Sequence, residues 1–373
     1  MRMAHINPSF DPATFYGGPT VTGLALVRAL AAAGAEVRVL TTNANGPTET
    51  LDVPTDREFE RDGFRIAYGS RIAAESASPY VLRSLPELVR WADVVHLTAV
   101  YNFTTFPTLA AARAFGKPVI WTPRGAHLRW DGARRSQAKG VWDAAIRRTA
   151  PKRFAVHVTS EREREAAEER VGARAVVIPN GVVVPDRVDR RADPGGPLRL
   201  AFLGRIDPIK GLDRLVDAVA RLALPARRNW VLRIAGSGEA EHTADIRARV
   251  PPKLQQQVEW LGQIAGAAVD ALFADTDLYV QPSHSENFGM SIAEALAHAV
   301  PVIASHGTPW ERLESERAGW WVPNDVESLR AAIVRAEGMD LEAHGDRGRA
   351  WMRREFAWPS VAERFLALAR ELR

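Results

Sequence analysis

SHSENFGMSIAEALA, residues Ser283–Ala297, joins two kinds of sequence pattern. The apolar, strand-like segment Asp277–Gln281 precedes it, a helical pattern opens inside it at Gly289, and a second strand-like segment follows at Val300–Ala304. A strand–loop–helix junction puts free backbone N–H groups and a positive helix end at the carboxyl edge of a parallel sheet, where anionic ligands bind. The stretch therefore predicts an α/β protein with an anion site at this junction.

Two glutamates of this stretch, Glu286 and Glu294, lie eight residues apart. Glu286 falls in the loop, where its carboxylate can accept hydrogen bonds from ligand hydroxyls. Glu294 lies about two helical turns further on, at a spacing that suits a second polyol. With the helix end between them, the two carboxylates predict a ligand in which a sugar and a ribose are joined by a diphosphate. Taken alone, the stretch fits two solvated helix glutamates equally well.

A second motif repeats the strand–loop–helix pattern at Leu200–Leu212. Its loop carries Gly204, Arg205 and Lys210, and a helix with apolar residues at helical spacing follows. Arginine offers a planar fork to phosphate oxygens, and lysine offers a mobile point charge. The pair therefore suits a departing diphosphate.

With these motifs in place, the chain resembles the retaining glycosyltransferases of family 4, which include bacterial cell-surface polysaccharide enzymes. The resemblance implies the GT-B fold: two Rossmann-like, doubly wound parallel-sheet α/β domains that face one another across a cleft. The matching motifs occur in the family's order along about the whole chain, and they are Gly17-Gly18, Pro123-Arg124-Gly125, Ile178–Val182, Gly204-Arg205 with Lys210-Gly211, and the Glu286 to Glu294 stretch.

The chain has 373 residues, which is enough for two ordinary domains with a core each. The breaker-rich stretch Val184–Pro197 is the predicted linker. We expect an acceptor-binding domain over residues 1–190 and a donor-binding domain over residues 191–357. By resemblance, the terminal helix, residues 358–373, packs back on the first domain.

Composition excludes several classes of protein. Hydrophobic residues make up 46% and charged residues 25%, as in a water-soluble globular protein. The chain has no cysteine, which excludes disulfides and thiolate chemistry. Its start lacks the apolar region of a signal peptide, so a cytoplasmic location is expected. No apolar run approaches the ~18 residues that are needed to cross a bilayer. A nucleic acid partner is not expected.

Positive charge is concentrated between Arg124 and Arg153, where nine basic residues accompany two acidic ones. Trp130 and Trp142 are interleaved with them. A basic, tryptophan-bearing segment predicts peripheral contact with an anionic membrane, and it suits a lipid-linked or saccharide acceptor. The alternative is a solvated helix face whose tryptophans point to the core, with a soluble metabolite as acceptor.

The first half departs from the family at the motif after its strand Pro118–Thr122. Many relatives have a histidine-glycine pair there, with the histidine near the transferred sugar, whereas this chain has Arg124 before the glycine and His127 three positions later. Either side chain can face the reacting centre. The expected acceptor-binding residues are Arg124, His96 at a strand end, and Asn102.

The resemblance supplies the remaining site assignments. No metal ligand and no cofactor beyond the UDP-sugar or GDP-sugar donor is expected, because capping or turn formation explains Asp275-Thr276-Asp277 better than metal binding. The alternatives are a nucleotide-sugar epimerase on the same scaffold and a non-catalytic scaffold. The catalytic set is Arg205, Lys210, Glu286 and His127, and the donor-binding set is Gly17, Gly18, Gly204, Gly236, Gly238, Ile264, Asn287, Phe288, Gly289, Met290 and Glu294.

Overall fold

A computed structural model of the chain divides into two compact units. The first contains Met1–Gly181 and Trp358–Arg373, and the second contains Val182–Ala357. The division thus falls between Gly181 and Val182, ahead of the expected boundary at residues 190 and 191. The structure describes residues 1–13, 15, 17–73, 76–126, 136–189, 195–224 and 229–373, and for 136–139 it describes the backbone alone.

The first unit alternates strands and helices. Its elements up to residue 181 are β1 (Arg2–Ile6), α1 (Gly18–Ala32), β2 (Glu36–Thr42), β3 (Ala44–Asn45), β4 (Glu49–Thr50), β5 (Glu58–Arg61), β6 (Phe64–Gly69), α2 (Pro79–Trp91), β7 (Val94–Thr98), α3 (Thr105–Ala114), β8 (Val119–Thr122), α4 (Ser136–Thr149), β9 (Phe154–Val158), α5 (Glu161–Val171) and β10 (Ala175–Val177).

The second unit restarts the alternation. Its elements are β11 (Leu198–Leu203), α6 (Leu212–Ala220), β12 (Trp230–Ala235), α7 (Ala240–Ala248), β13 (Val258–Gly262), α8 (Ala267–Ala274), β14 (Leu278–Gln281), α9 (Met290–Ala297), β15 (Val302–Ser305), β16 (Gly319–Val322), α10 (Val326–Glu337) and α11 (Leu341–Trp351). The chain then ends in α12 (Trp358–Leu372), which belongs to the first unit.

The main sheet of the first unit has the strand order β10-β9-β8-β7-β1-β2-β6-β5. Neighbouring strands are parallel except β5, which pairs antiparallel with β6 at the edge. The chain moves outward from β1 in one direction and then from β7 in the other, so the strand order reverses between β1 and β7. In sheets of this kind, ligands bind outside the carboxyl ends of the strands at that reversal.

The sheet of the second unit has the order β13-β12-β11-β14-β15-β16, with every described pair parallel. Its strand order reverses between β11 and β14. Because both of its faces are covered by helices, its central strands β11, β14 and β15 are almost wholly buried, whereas the edge strand β13 is largely exposed. The loops after β11 and β14 therefore flank the second expected ligand position.

Helix α12 packs beside α1 on one face of the first sheet. Its apolar stripe includes Val361, Phe365 and Leu366, which join the core below β1 and β8. This stripe follows the helical period that the sequence shows. The terminal helix is thus an integral part of the first unit's core.

Candidate functional site

The loops after β11 and β14 meet at the strand-order reversal of the second unit. Lys210 Nζ lies 2.6 Å from Glu286 Oε1, and both side chains are mostly buried. Gly211 makes this approach feasible, since it has a φ of +64° and a Cβ there would lie 2.1 Å from the carbonyl oxygen of Pro282. The structure therefore brings together two of the predicted catalytic residues.

Buried polar side chains support Glu286 from below. Gln281 Oε1 accepts hydrogen bonds from the hydroxyls of Tyr279 and Ser291, and Gln281 Nε2 donates to Ser283 Oγ at 2.7 Å. Ser283 Oγ in turn donates to Glu286 Oε1 at 2.8 Å. Sequence reasoning missed this relay, although Gln281 and Ser283 are polar residues at the end of an otherwise apolar strand.

Helix α9 begins beside this pair. Its N-cap is Gly289, with a φ of 85° and no side chain to cap the helix, and its first turn is uncharged in sequence. Phe288 is buried against Trp310, whose indole N–H donates to the Phe288 carbonyl at 2.5 Å. Asn287 and Met290 are partly buried on either side. The first N–H groups of α9 are thus held in place at a helix end that favours negative charge.

Glu294, on the same helix, has an unusual ionisation. Burial raises the pKa of its carboxyl to about 7, and the carboxylate of Asp270 adds to the rise. Among the described residues, no protein group donates a hydrogen bond to its carboxylate, which is therefore available to a ligand hydroxyl.

Arg205 stands apart from the ion pair. Its side chain is 73% exposed, and its nearest carboxylate is that of Asp207, at 3.6 Å. It lies in the loop that begins at Gly204, which packs against the loop after β12, because a Cβ on Gly236 would lie 1.8 Å from the Gly204 carbonyl oxygen. The predicted glycines of this region thus have a packing role.

Gly238 is under the same constraint, since a Cβ there would lie 1.9 Å from the carbonyl oxygen of Ile206. Ile264, in the loop after β13, is partly buried and packs against the core cluster that contains Phe288 and Ile292. The predicted nucleotide-side residues therefore lie in loops at the carboxyl edge of one sheet.

The Asp275-Thr276-Asp277 motif is explained by ion pairs. Arg199 binds Asp277 Oδ1 at 2.7 Å and Asp275 Oδ1 at 2.6 Å, and Arg233 binds Asp275 Oδ2 at 2.6 Å. Asp275 is also the C-cap residue of α8 and lies in a turn, as the sequence prediction of a capping or turn role expects, and the ion pairs are a further role that the sequence did not show. The part of the chain that the structure describes holds no cluster of three metal-ligating side chains.

A pocket of about 340 Å³ lies at the corresponding place in the first unit. We call it the Arg124 pocket. It opens at the carboxyl ends of β1, β7 and β8. Its described lining is Asn7, Pro8, Ser9, Pro19, Thr20, Ser76, Thr98, Ala99, Val100, Tyr101, Asn102, Pro123, Arg124 and Ala126. Two of the three predicted acceptor-binding residues, Arg124 and Asn102, therefore line one cavity.

The Asn102 side chain has a structural role in the wall of this pocket. Its Oδ1 accepts hydrogen bonds from the Thr104 backbone N–H at 2.9 Å and from the Thr104 hydroxyl at 2.6 Å, and its Nδ2 donates to the Val100 carbonyl. These bonds organise the turn that leads into α3. The Asn102 side chain shapes the wall of the pocket.

Arg124 is held by its neighbours on two sides. Its Nη1 donates to Thr22 Oγ1 at 2.8 Å, and the next residue, Gly125, donates its backbone N–H to Glu163 Oε1 at 2.5 Å. Burial lowers the pKa of the guanidinium to about 10, while the Glu163 carboxylate opposes the shift. Thr22 and Glu163 are further residues that the sequence analysis did not single out.

His96 is placed differently from its predicted role. It is fully buried below the pocket, where its Nδ1 lies 2.9 Å from His5 Nδ1 and its Nε2 lies 2.8 Å from Thr122 Oγ1. Its ring also packs on Phe365 of α12, with ring centroids 4.7 Å apart. Alternation along β7 turns this side chain into the core rather than toward an acceptor.

The histidine network continues from Thr122 to His157, whose Nε2 donates to the Ile178 carbonyl. That carbonyl can only accept, so the Thr122 hydroxyl donates to His157 Nδ1, His96 Nε2 donates to Thr122, and His5 Nδ1 donates to His96. Burial, assisted by the Arg124 guanidinium, lowers the pKa of His5 to about 3. Burial also lowers the pKa of His157 to about 4 and that of His96 well below its ordinary value. The three rings are therefore neutral.

Several other predicted residues are placed as follows. Gly17 is the N-cap of α1 with a φ of 60°, and Gly18 is the first residue of that helix. His127 lies outside the described residues, as does Trp130. Trp142 packs against Phe106, with ring centroids 4.6 Å apart, so it follows the alternative prediction of a tryptophan that points to the core.

The rest of the basic segment divides in the same way. Arg147 and Arg148 are exposed on α4, whereas Arg124 is mostly buried, and Arg134 and Arg135 lie outside the described residues. No helix in the described ranges combines the length and apolarity that crossing a membrane requires. Membrane contact therefore stays a prediction.

Comparison with protein families agrees with this geometry. A model described as "Glycosyl transferase 4-like domain" matches residues 17–181, and one described as "Glycosyl transferases group 1" matches residues 197–337. The chain belongs to glycosyltransferase family 4. The two matches cover most of each unit, including Arg124 and the Lys210–Glu286 pair.

Relatives of this glycosyltransferase span nearly its whole length. A GDP-mannose:cellobiosyl-diphosphopolyprenol alpha-mannosyltransferase of Xanthomonas oryzae is 28% identical over 93% of this chain and 89% of the relative. A phosphatidyl-myo-inositol mannosyltransferase of Mycobacterium leprae is 28% identical over 98% and 96%.

Solved structures share the GT-B fold of this glycosyltransferase. The Anabaena protein HepE in complex with UDP has a TM-score of 0.75 at 18% identity and is matched over 100% of both chains. The sucrose-phosphate synthase of Thermosynechococcus elongatus has a TM-score of 0.72 at 23% identity over 100% and 98%. The GT-B prediction is confirmed.

Proposed function

We propose that this glycosyltransferase moves a hexosyl group from a UDP-sugar or GDP-sugar to an acceptor hydroxyl, with retention of anomeric configuration. The ion pair of Lys210 and Glu286 at the strand-order reversal of the second unit carries the proposal. A cation suits the diphosphate, and a carboxylate suits the sugar hydroxyls. Both halves of a sugar nucleotide therefore find a partner at one place.

The neighbouring groups have matching roles in this proposal. The first N–H groups of α9, beyond Gly289, bind the diphosphate together with Lys210, and Arg205 folds in from its exposed position. Glu294 binds the ribose hydroxyls. The loops at Gly236 and Ile264 hold the base.

The proposed reaction passes through an oxocarbenium-like state, as glycosidic chemistry generally does. The bond from the anomeric carbon to the diphosphate oxygen breaks, and the acceptor oxygen bonds to the same carbon from the same face. The acceptor proton passes to an oxygen of the departing diphosphate. Preorganised positive groups stabilise the charge that gathers there, which is the largest contribution available to such a site.

Relatives support the substrate classes without fixing them. One relative's name contains GDP-mannose, whereas HepE was solved with UDP, so either base fits the proposal. The first of these relatives is named for a diphosphopolyprenol, and the relative from Mycobacterium leprae is named for phosphatidyl-myo-inositol. We therefore favour a role in bacterial polysaccharide or glycolipid assembly at the cytoplasmic face of an anionic membrane, with a soluble acceptor as the alternative.

Metal independence is part of the proposal, because Lys210, Arg205 and the end of α9 supply positive charge, while Asp275 and Asp277 are bound to arginines. Activity is expected to survive EDTA. A complete loss that Mn²⁺ restores would contradict this.

The epimerase alternative needs an acid and a base from the first unit. The three histidines of its core, His5, His96 and His157, are buried, neutral and mutually hydrogen-bonded, so they do not offer such a pair at a surface. Family membership and this placement both favour transfer over epimerisation.

A panel of nucleotide sugars tests the proposal directly. Thermal shift identifies the bound nucleotide, since a ligand raises the melting temperature by mass action. Incubation of that sugar nucleotide with acceptor extracts, followed by NMR of the product, then gives the anomeric configuration. A free epimer instead of a glycoside would overturn transfer, and an inverted product would overturn retention alone.

A further inference from the structure

The Arg124 pocket has an unbalanced charge. Among the described residues that line it, Arg124 is the only charged one, and the other polar groups are neutral amides and hydroxyls such as Asn7, Ser9 and Thr20. The remaining walls are largely apolar, with Pro8, Val100 and Ala126 among them. A pocket with one cation and several neutral hydrogen-bonding groups fits an anion that carries an attached larger group.

Arg124 is also under-satisfied. A guanidinium has five N–H donors, and within the described residues this one makes a single hydrogen bond, to Thr22. The nearest carboxylate, that of Glu163, is already used by the backbone N–H groups of Gly125 and Thr159 and by the Thr159 hydroxyl. A mostly buried charge without a direct ion pair is costly, so an incoming anion gains from pairing with it.

Arg199 in the second unit shows the usual arrangement for comparison. Its guanidinium binds Asp277 through two nitrogens and Asp275 through a third. Both arginines are withdrawn from solvent, but only Arg199 is fully paired by the protein itself. The difference points to a partner for Arg124 that the protein does not supply.

Backbone geometry fixes the guanidinium at the pocket floor. Arg124 has a φ of 55°, and Glu163 ties down the next residue, Gly125. The side chain also packs beside Gly23 of α1, where an added Cβ would be in ordinary van der Waals contact with Arg124 Nη2, at 3.9 Å. The cation is therefore positioned before any ligand arrives, which lowers the cost of binding.

We propose that the Arg124 pocket binds a phosphate group of the acceptor, with Arg124 as the specificity-determining residue. This rests on the proposed function, which gives the first unit the acceptor. A phosphate is favoured over a carboxylate because its extra oxygens can use both the free guanidinium donors and the surrounding hydroxyls. The phosphate can belong to a soluble sugar phosphate or to an isoprenoid lipid carrier.

Calorimetry with defined probes tests the proposal, in the presence of a saturating nucleoside diphosphate that occupies the second unit. The soluble arm uses glucose 1-phosphate, with glucose and glucuronic acid as controls. The lipid arm uses geranyl diphosphate, with geraniol as its control. We expect at least one phosphate probe to bind and the neutral and carboxylate probes not to.

Variants connect that binding to Arg124. We expect Arg124→Gln to weaken the bound phosphate probe by roughly tenfold or more, and Arg124→Lys to weaken it less, because lysine keeps the charge but loses the fork. Arg162→Gln, on the exposed face of α5, is the matched control and should match the unaltered protein. If Arg124→Gln fails to fold, equal affinities of Arg124→Lys and the unaltered protein would overturn the proposal.

Other outcomes also decide. Unchanged phosphate binding in Arg124→Gln, or equal binding of glucuronic acid, would overturn the phosphate assignment. Weaker binding of the nucleoside diphosphate itself would assign Arg124 to the donor and overturn it too. Binding and slow hydrolysis of sugar nucleotides by the unaltered protein test the proposed function separately. If the unaltered protein neither binds nor hydrolyses any sugar nucleotide, the proposed function fails whatever the phosphate probes show.

Discussion

Each unit places a cation in a loop at the carboxyl edge of its parallel sheet, yet the two units balance that charge differently. Lys210 of the second unit is neutralised by Glu286 at 2.6 Å, whereas Arg124 of the first unit is bonded to the neutral hydroxyl of Thr22. A ligand of the second unit must either bind to the intact Lys210–Glu286 ion pair or separate its two side chains. An anionic ligand of the first unit would supply the negative charge that Arg124 lacks. The shared fold thus sets the position of a site, and the local partners set its chemistry.

The layers beneath the two cations differ as well. In the second unit, a relay from Gln281 through Ser283 ends on Glu286 and so reaches the site. In the first unit, the histidine network runs from His5 to the carbonyl of Ile178 and stays inside the core. Changes beneath the second site should therefore alter ligand binding, and changes beneath the first should alter stability.

The largest effect is expected from Lys210→Ala, because it removes a preorganised charge from the proposed transition state and leaves Glu286 unpaired. We expect turnover to fall by roughly two to three orders of magnitude. Steady-state kinetics with the identified sugar nucleotide measures it. Lys253→Ala, an exposed lysine of the same unit, is the control. Near-normal turnover of Lys210→Ala would show that Lys210 does not stabilise charge in the transition state.

The histidine network makes the first unit sensitive to acid. The folded pKa values of His5 and His157, about 3 and about 4, lie below the unfolded value of 6.5, so the unfolded chain binds more protons between these limits. The stability that these two histidines contribute is therefore fully present above about pH 6.5, and it is lost as the pH falls toward their pKa values in the folded protein. Each histidine contributes ~1.4 kcal/mol per pH unit within that window.

Urea unfolding at several pH values checks this. We expect the free energy of unfolding to fall from about pH 6.5 to about pH 4.5, and the slope to decrease in His157→Asn. His242→Asn, a partly exposed histidine of α7, should keep the full slope. A slope that His157→Asn leaves unchanged would mean that the network does not set the acid response.

The sequence predicted the frame of both sites well because the frame depends on local patterns. The strands near β1, β7, β11 and β14 follow short apolar runs, and ligand loops at their carboxyl ends follow from parallel order. Glu286 and Lys210 were predicted to serve one ligand, and the structure places them in contact. The short edge strand Glu58–Arg61 has no such apolar run, since a half-exposed antiparallel strand has a mixed pattern.

Partners distant in sequence could not be predicted in the same way. His96 sits at the end of an apolar strand, and its burial depends on His5, Thr122 and α12 arriving from other parts of the chain. The role of Asp275 likewise depends on Arg199 and Arg233 of neighbouring strands. Sequence spacing indicates which residues reach a sheet edge, but the pairing across strands decides whether a charge is free for a ligand.

A smaller effect is expected from Ser283→Ala, which cuts the relay one step before Glu286. Loss of one hydrogen bond to a carboxylate should lower kcat/KM for the sugar nucleotide by roughly tenfold and leave binding of the bare nucleoside diphosphate unchanged. Ser315→Ala removes an exposed hydroxyl that bonds a backbone carbonyl and serves as the control. Equal losses for sugar nucleotide and nucleoside diphosphate would show that Ser283 supports the loop as a whole rather than Glu286.

The smallest effect concerns Glu294, whose pKa of about 7 puts its ionisation near neutral pH. The ionised carboxylate accepts hydrogen bonds from both ribose hydroxyls, so nucleoside diphosphate affinity should rise roughly threefold to tenfold from about pH 6 to about pH 8. The terminal phosphate of the ligand also titrates near pH 6, and Glu294→Gln supplies that baseline because its side chain does not titrate.

Asp270→Asn should shift the rise in affinity to lower pH, since the Asp270 carboxylate contributes to the raised pKa of Glu294. Calorimetry across this pH range measures the nucleoside diphosphate affinity of the unaltered protein, Glu294→Gln and Asp270→Asn. The same pH profile for Glu294→Gln and the unaltered protein would mean that Glu294 does not bind the ribose, and the nucleotide would then depend on Lys210, the first N–H groups of α9 and the loops that hold the base.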